Sequence, residues 1–300
     1  MLVFVTGAAG FIGRATVEEL LQHGHQVLGL SRNDANSEIL TKLGAQVHPG
    51  SLDDLESLKS GAKAADGVIH LAFRHDFSDF QKSIEMDAAA IKAFAEALAG
   101  TGKPLAIASG TLSAQAGKLS HEDDEPERGG FFSQRTAASD LVRKLSKEKD
   151  FRGSTVRLPP VVHDKGDKGF INILATTAQK IGHLTIIGDG STVWPSVHRL
   201  DAAVVFRLAI EKGTPGAIYH ANSERGVEMK DIMDVIGKRL NLPVKSKTVE
   251  EAAPDIGFLA YPLGRDNPTS SEKTQKELGW NPSSNGHPGL LADLEANYFN

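Results

Sequence analysis

The 300-residue chain contains no cysteine, and it has only two tryptophans and three tyrosines. Disulfides, thiolate metal sites and a cysteine nucleophile are therefore excluded, and we expect a reducing, cytoplasmic location. The apolar runs do not approach the roughly 20 residues that cross a bilayer. The net charge of −5 combines interspersed charges of both signs. We therefore expect neither nucleic acid nor a membrane as a partner.

Short β-branched and aromatic runs alternate with helical patterns through the first half of the chain. Residues 2–6 predict a buried strand, and apolar residues follow at helical spacing from residue 11. Further strands are predicted at 25–30, 45–48, 67–73, 104–108 and 154–161, with helices at 38–43, 52–59, 80–99 and 136–146 between them. This alternation predicts an α/β fold, a Rossmann doubly wound parallel sheet.

The segment 112–130 interrupts this pattern. It is polar and acidic, with the run His121-Glu-Asp-Asp-Glu125 followed by two glycines. A long polar stretch of this kind predicts a solvated loop, with a substrate lid as the alternative.

A glycine-rich turn joins the first predicted strand to the first predicted helix. Gly7, Gly10 and Gly13 have the spacing GxxGxxG. The first permits a tight turn, the second lets the backbone approach a pyrophosphate, and the third lets the helix pack close to the sheet. Free N–H groups at the helix N-terminus attract phosphate. The turn predicts a dinucleotide site that also includes Ala9, Phe11 and Ile12.

The second predicted strand ends at Ser31-Arg32. An NAD-specific site places Asp or Glu at this point to bind the ribose 2′-hydroxyl. Ser31 lacks that carboxylate, and Arg32 offers a cation to a 2′-phosphate. The pair predicts NADP(H) as cofactor, with a surface role for Arg32 and a loose cofactor preference as the alternative.

Beyond residue 164 the pattern becomes mixed. A helix near 170–181, a strand at 184–187 and a helix at 201–212 precede shorter elements. We predict a Rossmann domain in residues 1–163 and a smaller substrate-binding region in residues 164–300, with the chain partly returning to the Rossmann sheet. The expected partner is a small-molecule substrate, and a homodimer is left open.

Several motifs resemble the short-chain dehydrogenase/reductase superfamily. They are TGAAGFIG at residues 6–13, Ser31-Arg32, VIHLA at 68–72, ASGT at 108–111, VRLPPVVH at 156–163, GDG at 188–190, WPSVHRLD at 194–201 and LGW at 278–280. The chain is most similar to the extended or atypical branch, the NAD-dependent epimerase/dehydratase type. The resemblance covers nearly the whole chain.

The resemblance implies further cofactor contacts. His70–Phe73, which includes Leu71 and Ala72, would run under the adenosine and the nicotinamide ribose, and Pro159–Val162, which includes Val161, would border the nicotinamide. Ser51-Leu52 stands where the family carries an acidic residue that contacts adenine. Because Ser51 is not acidic, a contact from the Leu52 backbone is expected there.

The family reduces carbonyls with a hydroxyl residue and a Tyr–Lys pair four residues apart. This pair is missing, since Tyr219, Tyr261 and Tyr298 have no lysine four residues on. Alignment with the family helix puts Phe131 in the tyrosine position and Arg135 in the lysine position. Phe131 cannot donate a proton, and Arg135 can hold a ribose hydroxyl but stays protonated.

The hydroxyl position is retained. Ser109 and Thr111 follow the fifth predicted strand, at the carboxyl end where ligands gather in such sheets. Thr111 is the preferred residue for orienting the substrate, with local hydrogen bonding in the turn as the alternative.

Three functions remain open from the sequence. The first is an NADPH-dependent oxidoreductase that passes a hydride to a small carbonyl or activated alkene. Its proton would come from Thr111 through water, His163, His198 or Tyr261. Both histidines also suit purely structural roles, and His198 would cap a helix. The second function is a non-catalytic NADP(H)-binding sensor or interaction protein, and the third is a non-redox isomerase or lyase.

Overall fold

The computed structural model describes residues 1–74, 79–282 and 286–299, without the side chain of Phe131. The strands are β1 (Leu2–Thr6), β2 (Gln26–Ser31), β3 (Gln46–Pro49), β4 (Gly67–His70), β5 (Pro104–Gly110), β6 (Arg152–Leu158), β7 (Val161–His163), β8 (Leu184–Ile187), β9 (Val193–His198), β10 (Ile218–His220), β11 (Glu224–Glu228) and β12 (Val244–Lys247).

The helices are α1 (Phe11–Gln22), α2 (Asp34–Leu43), α3 (Leu55–Ala64), α4 (Phe80–Ala97), α5 (Thr136–Lys149), α6 (Phe170–Ile181), α7 (Arg199–Lys212), α8 (Met229–Leu240), α9 (Val249–Ile256), α10 (Ala260–Leu263), α11 (Glu272–Leu278) and α12 (Leu290–Ala296). Short 3-10 turns occupy Thr111–Ser113, Phe131–Arg135 and Gly257–Leu259. Within the described residues, no helix is long and apolar enough to cross a membrane.

Seven strands form one sheet in the order β10-β6-β5-β4-β1-β2-β3, and every neighbouring pair is parallel. Both faces of this sheet are covered. In β1, Val3 and Val5 pack into one core with Val17 of α1 and Phe206 of α7. Phe4 packs on the opposite face, because successive side chains of a strand point to opposite sides. The predicted α/β Rossmann fold is confirmed.

Several predicted element boundaries differ from the structure, and three of these differences have local reasons. The helix predicted from residue 38 starts at Asp34, because the Asn33 side chain accepts a hydrogen bond from the Asn36 N–H. The helix predicted from residue 52 starts at Leu55, where Asp54 is the cap. The strand predicted at 154–161 breaks at Pro159-Pro160. Proline has no N–H to donate, so pairing with the main sheet ends there.

The chain beyond this break builds smaller sheets and then rejoins the large one. β7 pairs with β9, which pairs with β11, and β8 pairs with β12. β10 returns to the large sheet beside β6. α7 packs against α1, where the Arg207 guanidinium lies 2.7 Å from the Glu19 carboxylate. The second half of the chain therefore completes one edge and one face of the Rossmann sheet.

Candidate active site

The glycine turn has the backbone geometry of a dinucleotide loop. Gly7 has φ +69°, and a Cβ at this position would lie 2.8 Å from the Ala72 nitrogen. A Cβ on Gly13 would lie 2.0 Å from the Gly7 carbonyl oxygen. The first and third glycines are therefore required by the fold itself, because a side chain at either one collides with backbone.

Gly10 differs from these two glycines. It is exposed, caps the start of α1 with no side-chain hydrogen bond, and is followed by no acidic residue in the first helical turn. A Cβ there would meet only the Gly7 carbonyl oxygen, at 3.0 Å. The helix N-terminus is therefore open to an anion. The residues present fit a dinucleotide pyrophosphate.

The residues after β2 and β3 lie at the same edge of the sheet. Ser31 is buried, and its hydroxyl donates to the Asn33 carbonyl oxygen at 2.9 Å and accepts from the Ser37 hydroxyl at 3.0 Å. Arg32 is exposed, while Ser51 and Leu52 are half-buried. The hydroxyl of Ser31 is engaged within the turn. Two charged side chains are exposed just after β2, the Arg32 guanidinium and the Asp34 carboxylate.

A series of hydrogen-bonded, buried polar side chains connects β1 to the 3-10 turn that ends at Arg135. The Thr6 hydroxyl lies 2.7 Å from His70 Nδ1, and His70 Nε2 lies 3.2 Å from Asp87 Oδ1. Because an ionised carboxylate only accepts hydrogen bonds, Nε2 carries the hydrogen of the contact with Asp87. Asp87 Oδ2 in turn accepts from the Arg135 guanidinium at 3.3 Å.

Arg135 is held from three sides. Its guanidinium donates to the Ala108 carbonyl oxygen at 2.9 Å, pairs with Asp87, and lies 3.9 Å above the Phe73 ring centroid. Burial lowers the pKa of Arg135, and the Asp87 carboxylate opposes that shift. The Ser109 hydroxyl donates to the Arg135 carbonyl oxygen at 3.4 Å. Ser109, Arg135 and Phe73, all named from the sequence, are thus brought together.

Thr111 has a different partner. Its side chain is fully buried, and its hydroxyl donates to Asn267 Oδ1 at 2.9 Å. Asn267 Nδ2 donates back to the Thr111 carbonyl oxygen at 3.0 Å. This pair of bonds ties the 3-10 turn after β5 to the C-terminal region.

A cavity of about 410 Å³ lies beside these turns. It is bounded on one side by the turns at 111–113 and 131–135 and on the other by residues 258–265. Its lining residues are Leu112, Glu127, Gly130, Phe132, Ser133, Phe258, Tyr261 and Arg265. Leu112 and Ser133, which line the cavity, are close in sequence to Thr111 and Arg135, but neither Thr111 nor Arg135 lines it.

The four proton sources named from the sequence are not equally placed. Tyr261 lines the cavity and is 68% exposed. His163 is buried with Nδ1 2.8 Å from Asp293 Oδ2, and His198 caps α7 by accepting from the Leu200 N–H. Burial, with His287 stacked on its ring, lowers the pKa of His198 to about 4. The fourth candidate, Thr111, is buried. Among these four residues, only Tyr261 is in the described cavity wall.

The acidic segment is a loop, as its composition predicts, but it is only partly solvated. Asp123, Glu125 and Arg128 are exposed. Glu122 is 1% exposed, and its Oε1 accepts from the Thr274 N–H at 2.8 Å and hydroxyl at 2.7 Å. Glu127 lines the cavity and pairs with Arg265. These two contacts were missed because both partners lie more than a hundred residues away in the chain.

The other predicted site residues surround the carboxyl ends of the strands. Ala9, Phe11 and Ile12 are half-buried in the glycine turn, and Leu71 and Ala72 follow β4. Pro159, Val161 and Val162 follow β6. Phe131 begins its 3-10 turn, but its side chain lies outside the described residues. His70 as a hydrogen-bonding group, Asp87, Glu127 and Arg265 were missed, since no local motif marks them.

Residues 3–221 match the model of the NAD dependent epimerase/dehydratase family. The chain belongs to the NAD dependent epimerase/dehydratase family. The resemblance expected from the sequence motifs is therefore confirmed. The matched region ends just after β10, the edge strand that extends the large sheet beside β6.

Two relatives and one solved structure illustrate this family member's neighbours. It is 44% identical over 300 residues to an uncharacterized protein of Saccharomyces cerevisiae, covering 99% of each chain. It is 25% identical over 242 residues to the decarboxylating sterol-4-alpha-carboxylate 3-dehydrogenase of Dictyostelium discoideum, covering 76% of this chain and 73% of that one. The UDP-glucose 4-epimerase of Thermotoga maritima superposes with TM-score 0.78 at 20% identity, covering 100% and 98%.

Proposed function

We propose that this protein is an NADPH-dependent oxidoreductase that transfers a hydride to a small carbonyl or activated alkene, with an active site that lacks the Tyr–Lys pair. The observation that carries the proposal is the cavity beside the turns of Thr111 and Arg135, at the carboxyl end of β5. Ligands of doubly wound sheets bind at these strand ends. The oxidoreductase name of the Dictyostelium relative supports the same class of reaction.

We also propose the division into a Rossmann domain in residues 1–163 and a substrate-binding region in residues 164–300. The cavity supports it, because Leu112, Phe132 and Ser133 come from the first part and Phe258, Tyr261 and Arg265 from the second. A substrate in this cavity would contact both.

The residues that would hold the cofactor are those of the glycine turn, Arg32 and Arg135. Gly10 leaves the α1 N-terminus open to the pyrophosphate, and exposed Arg32 supplies positive charge for a 2′-phosphate. Arg135, fixed by Asp87 and by the Ala108 carbonyl oxygen, holds a ribose hydroxyl. When bound, the cofactor supplies the hydride.

Proton delivery falls to a residue outside the family's usual set. Reduction of a carbonyl needs one proton at its oxygen as the carbon gains the hydride. Arg135 keeps its proton, so it binds and orients without acting as the acid. Tyr261 carries an O–H donor in the cavity wall and is our proposed proton source. Thr111 would orient the substrate oxygen by exchanging its bond to Asn267 for one to the substrate.

The test follows NADPH oxidation with a panel of ketones, aldehydes and enones. We expect substrate-dependent oxidation that falls about 100-fold in Tyr261→Phe with NADPH affinity unchanged. Thr111→Val should lose turnover, while Thr111→Ser retains the hydroxyl and most of the rate. A Thr111→Val protein as fast as the parent would remove the orienting role, and an equally fast Tyr261→Phe would remove the proton role.

A second candidate function is a non-catalytic NADP(H) sensor. The observation that favours it is that the Thr111 side chain is fully buried, so its hydroxyl is not open to a substrate. The alignment that puts Arg135 in the lysine position would also leave the site without a titrating amine. This function would replace the first if NADPH binds tightly but no compound of the panel oxidises it.

A further inference from the structure

The cavity beside the 3-10 turns has many apolar side chains in its walls, which is unusual for a site that binds charged compounds. Leu112, Phe132, Phe258 and Tyr261 supply apolar surface on both sides of it. Phe258 is 37% and Tyr261 68% exposed. Large exposed apolar side chains that converge on one cavity indicate that it binds an apolar compound.

The two charged groups of the wall neutralise one another. The Arg265 guanidinium lies 2.6 Å from the Glu127 carboxylate, and the same nitrogen donates to the Ala114 carbonyl oxygen at 2.5 Å. A phosphate or carboxylate of a ligand would meet Glu127, and an ammonium group would meet Arg265. The wall therefore favours a ligand without net charge.

The polar groups of the cavity suit a single acceptor. The Ser133 hydroxyl already donates to the Gly130 carbonyl oxygen at 2.5 Å. The Tyr261 phenol is a donor in the same wall. A carbonyl oxygen accepts hydrogen bonds only, so one such oxygen on an otherwise apolar ligand matches this wall.

The volume sets the size of that ligand. A dry cavity of about 150 Å³ accommodates benzene. The cavity volume of about 410 Å³ therefore leaves room for two fused rings with a short carbonyl substituent.

From these four observations we propose that the cavity binds neutral, planar ring ketones or aldehydes of about two rings, and that it discriminates against anionic compounds, sugar nucleotides included. The proposal rests on the proposed function, because it names the substrate class of that same site. Selectivity comes from the Glu127–Arg265 pair, and affinity comes from the aromatic faces of Phe132, Phe258 and Tyr261.

The first experiment is calorimetric binding to the full chain loaded with NADP⁺. The probes are 2-acetylnaphthalene and its carboxylate analogue 6-acetyl-2-naphthoate, with UDP-glucose as a third ligand. We expect the neutral ketone to bind at least about tenfold more tightly than the other two, a difference of about 1.4 kcal/mol. Tighter binding of the carboxylate or of UDP-glucose overturns the proposal.

A change of charge in the wall sharpens the test. Glu127→Gln keeps shape but leaves Arg265 without its counter-charge, so affinity for 6-acetyl-2-naphthoate should rise about tenfold. Glu125→Gln is the matched control, because Glu125 is exposed on the same loop and does not line the cavity. An equal response of both variants contradicts the role of the pair.

A second pair of variants tests the apolar wall. Phe258→Ser should weaken binding of 2-acetylnaphthalene about tenfold, whereas Leu119→Ser, at an equally exposed position outside the cavity, should not change it. The same samples are assayed for NADPH oxidation. Binding of the neutral ketone without oxidation supports the ligand class and overturns the oxidoreductase function. Oxidation with anionic substrates alone does the reverse.

Discussion

The Asp87 carboxylate joins the Arg135 guanidinium, 3.3 Å away, to the His70–Thr6 pair at the end of β1. Both charged side chains are withdrawn from water, with 17% of Arg135 and 6% of Asp87 exposed. An arginine, which stays protonated, is thus anchored at the position that the sequence alignment pairs with the family's lysine. The anchor links the glycine-turn strand to the helix that begins at Thr136.

Removal of Asp87 should destabilise the fold. Asp87→Ala leaves the buried guanidinium without a counter-charge, so we expect the free energy of unfolding to fall by about 3 kcal/mol. Urea denaturation at pH 7 measures the change. Glu85→Ala, two residues away and exposed, is the control and should stay within about 0.5 kcal/mol of the parent. A loss below 1 kcal/mol in Asp87→Ala would show that water compensates Arg135.

Arg32 should decide between the two nicotinamide dinucleotides. Arg32→Ala is expected to weaken NADPH about tenfold and to leave NADH nearly unchanged, since only NADPH carries the 2′-phosphate. Fluorescence titration with each dinucleotide gives both affinities. Lys63→Ala, which removes an exposed cation from α3, serves as the control. The preference would be refuted by equal losses for the two dinucleotides.

Gly10 and Gly13 should fail in different ways. Gly10→Val places a branched side chain at the open α1 N-terminus, so cofactor binding should disappear while the protein stays folded. Gly13→Ala puts a Cβ 2.0 Å from the Gly7 carbonyl oxygen and should lower the melting temperature itself. Thermal unfolding with and without NADPH separates the effects. If Gly10→Val is stabilised by NADPH as the parent is, the loop does not bind the pyrophosphate.

His198 should make stability depend on pH below neutrality. Burial and the stacked His287 lower its pKa from 6.5 to about 4 in the folded state. The unfolded chain therefore binds the proton first, and the stability present above pH 6.5 is lost as pH falls towards 4. At pH 5 this costs about 2 kcal/mol relative to pH 7.

The test compares urea denaturation of the parent and of His198→Asn at both pH values. Asparagine is an effective helix cap, so the variant keeps the bond to the Leu200 N–H and removes only the titration. His220, whose pKa is lowered to about 3, contributes alike to both proteins. Equal losses between pH 7 and pH 5 would exclude His198 as the titrating group.

The sequence predicted the parallel sheet because β1 and its neighbours bury both faces and leave a local pattern of apolar runs. It predicted the glycine turn because the three glycines form one local motif, and Gly13 is required by the backbone of Gly7 within that motif. The contact that excludes a side chain at Gly7 comes from Ala72, 65 residues further along the chain, and no local pattern shows it. The two prolines at 159 and 160 indicate a break in the strand, but the prediction followed the apolar run around them and extended the strand to residue 161. The strand ends there because the two prolines have no N–H groups to donate to the sheet.

The polar part of the site left no comparable local pattern. Asp87 lies on a helix rich in alanine, 48 residues before its partner Arg135. Glu127 lies in an acidic run whose composition favours solvent, and Arg265 is 138 residues further on. Such pairs are created by the packing of distant elements, so neither spacing nor composition indicates them.

The return of β10 to the large sheet has a consequence for how the chain folds while it is being translated. Until residues 218–220 emerge from the ribosome, β6 is an unpaired edge, and the α1 face that α7 covers stays bare until residues 199–212 emerge. At about 5–20 residues per second, the 62 residues from the end of β6 at 158 to the end of β10 at 220 take roughly 3 to 12 s. During that interval the N–H and C=O groups along one side of β6 are unpaired and can pair with a strand of another chain.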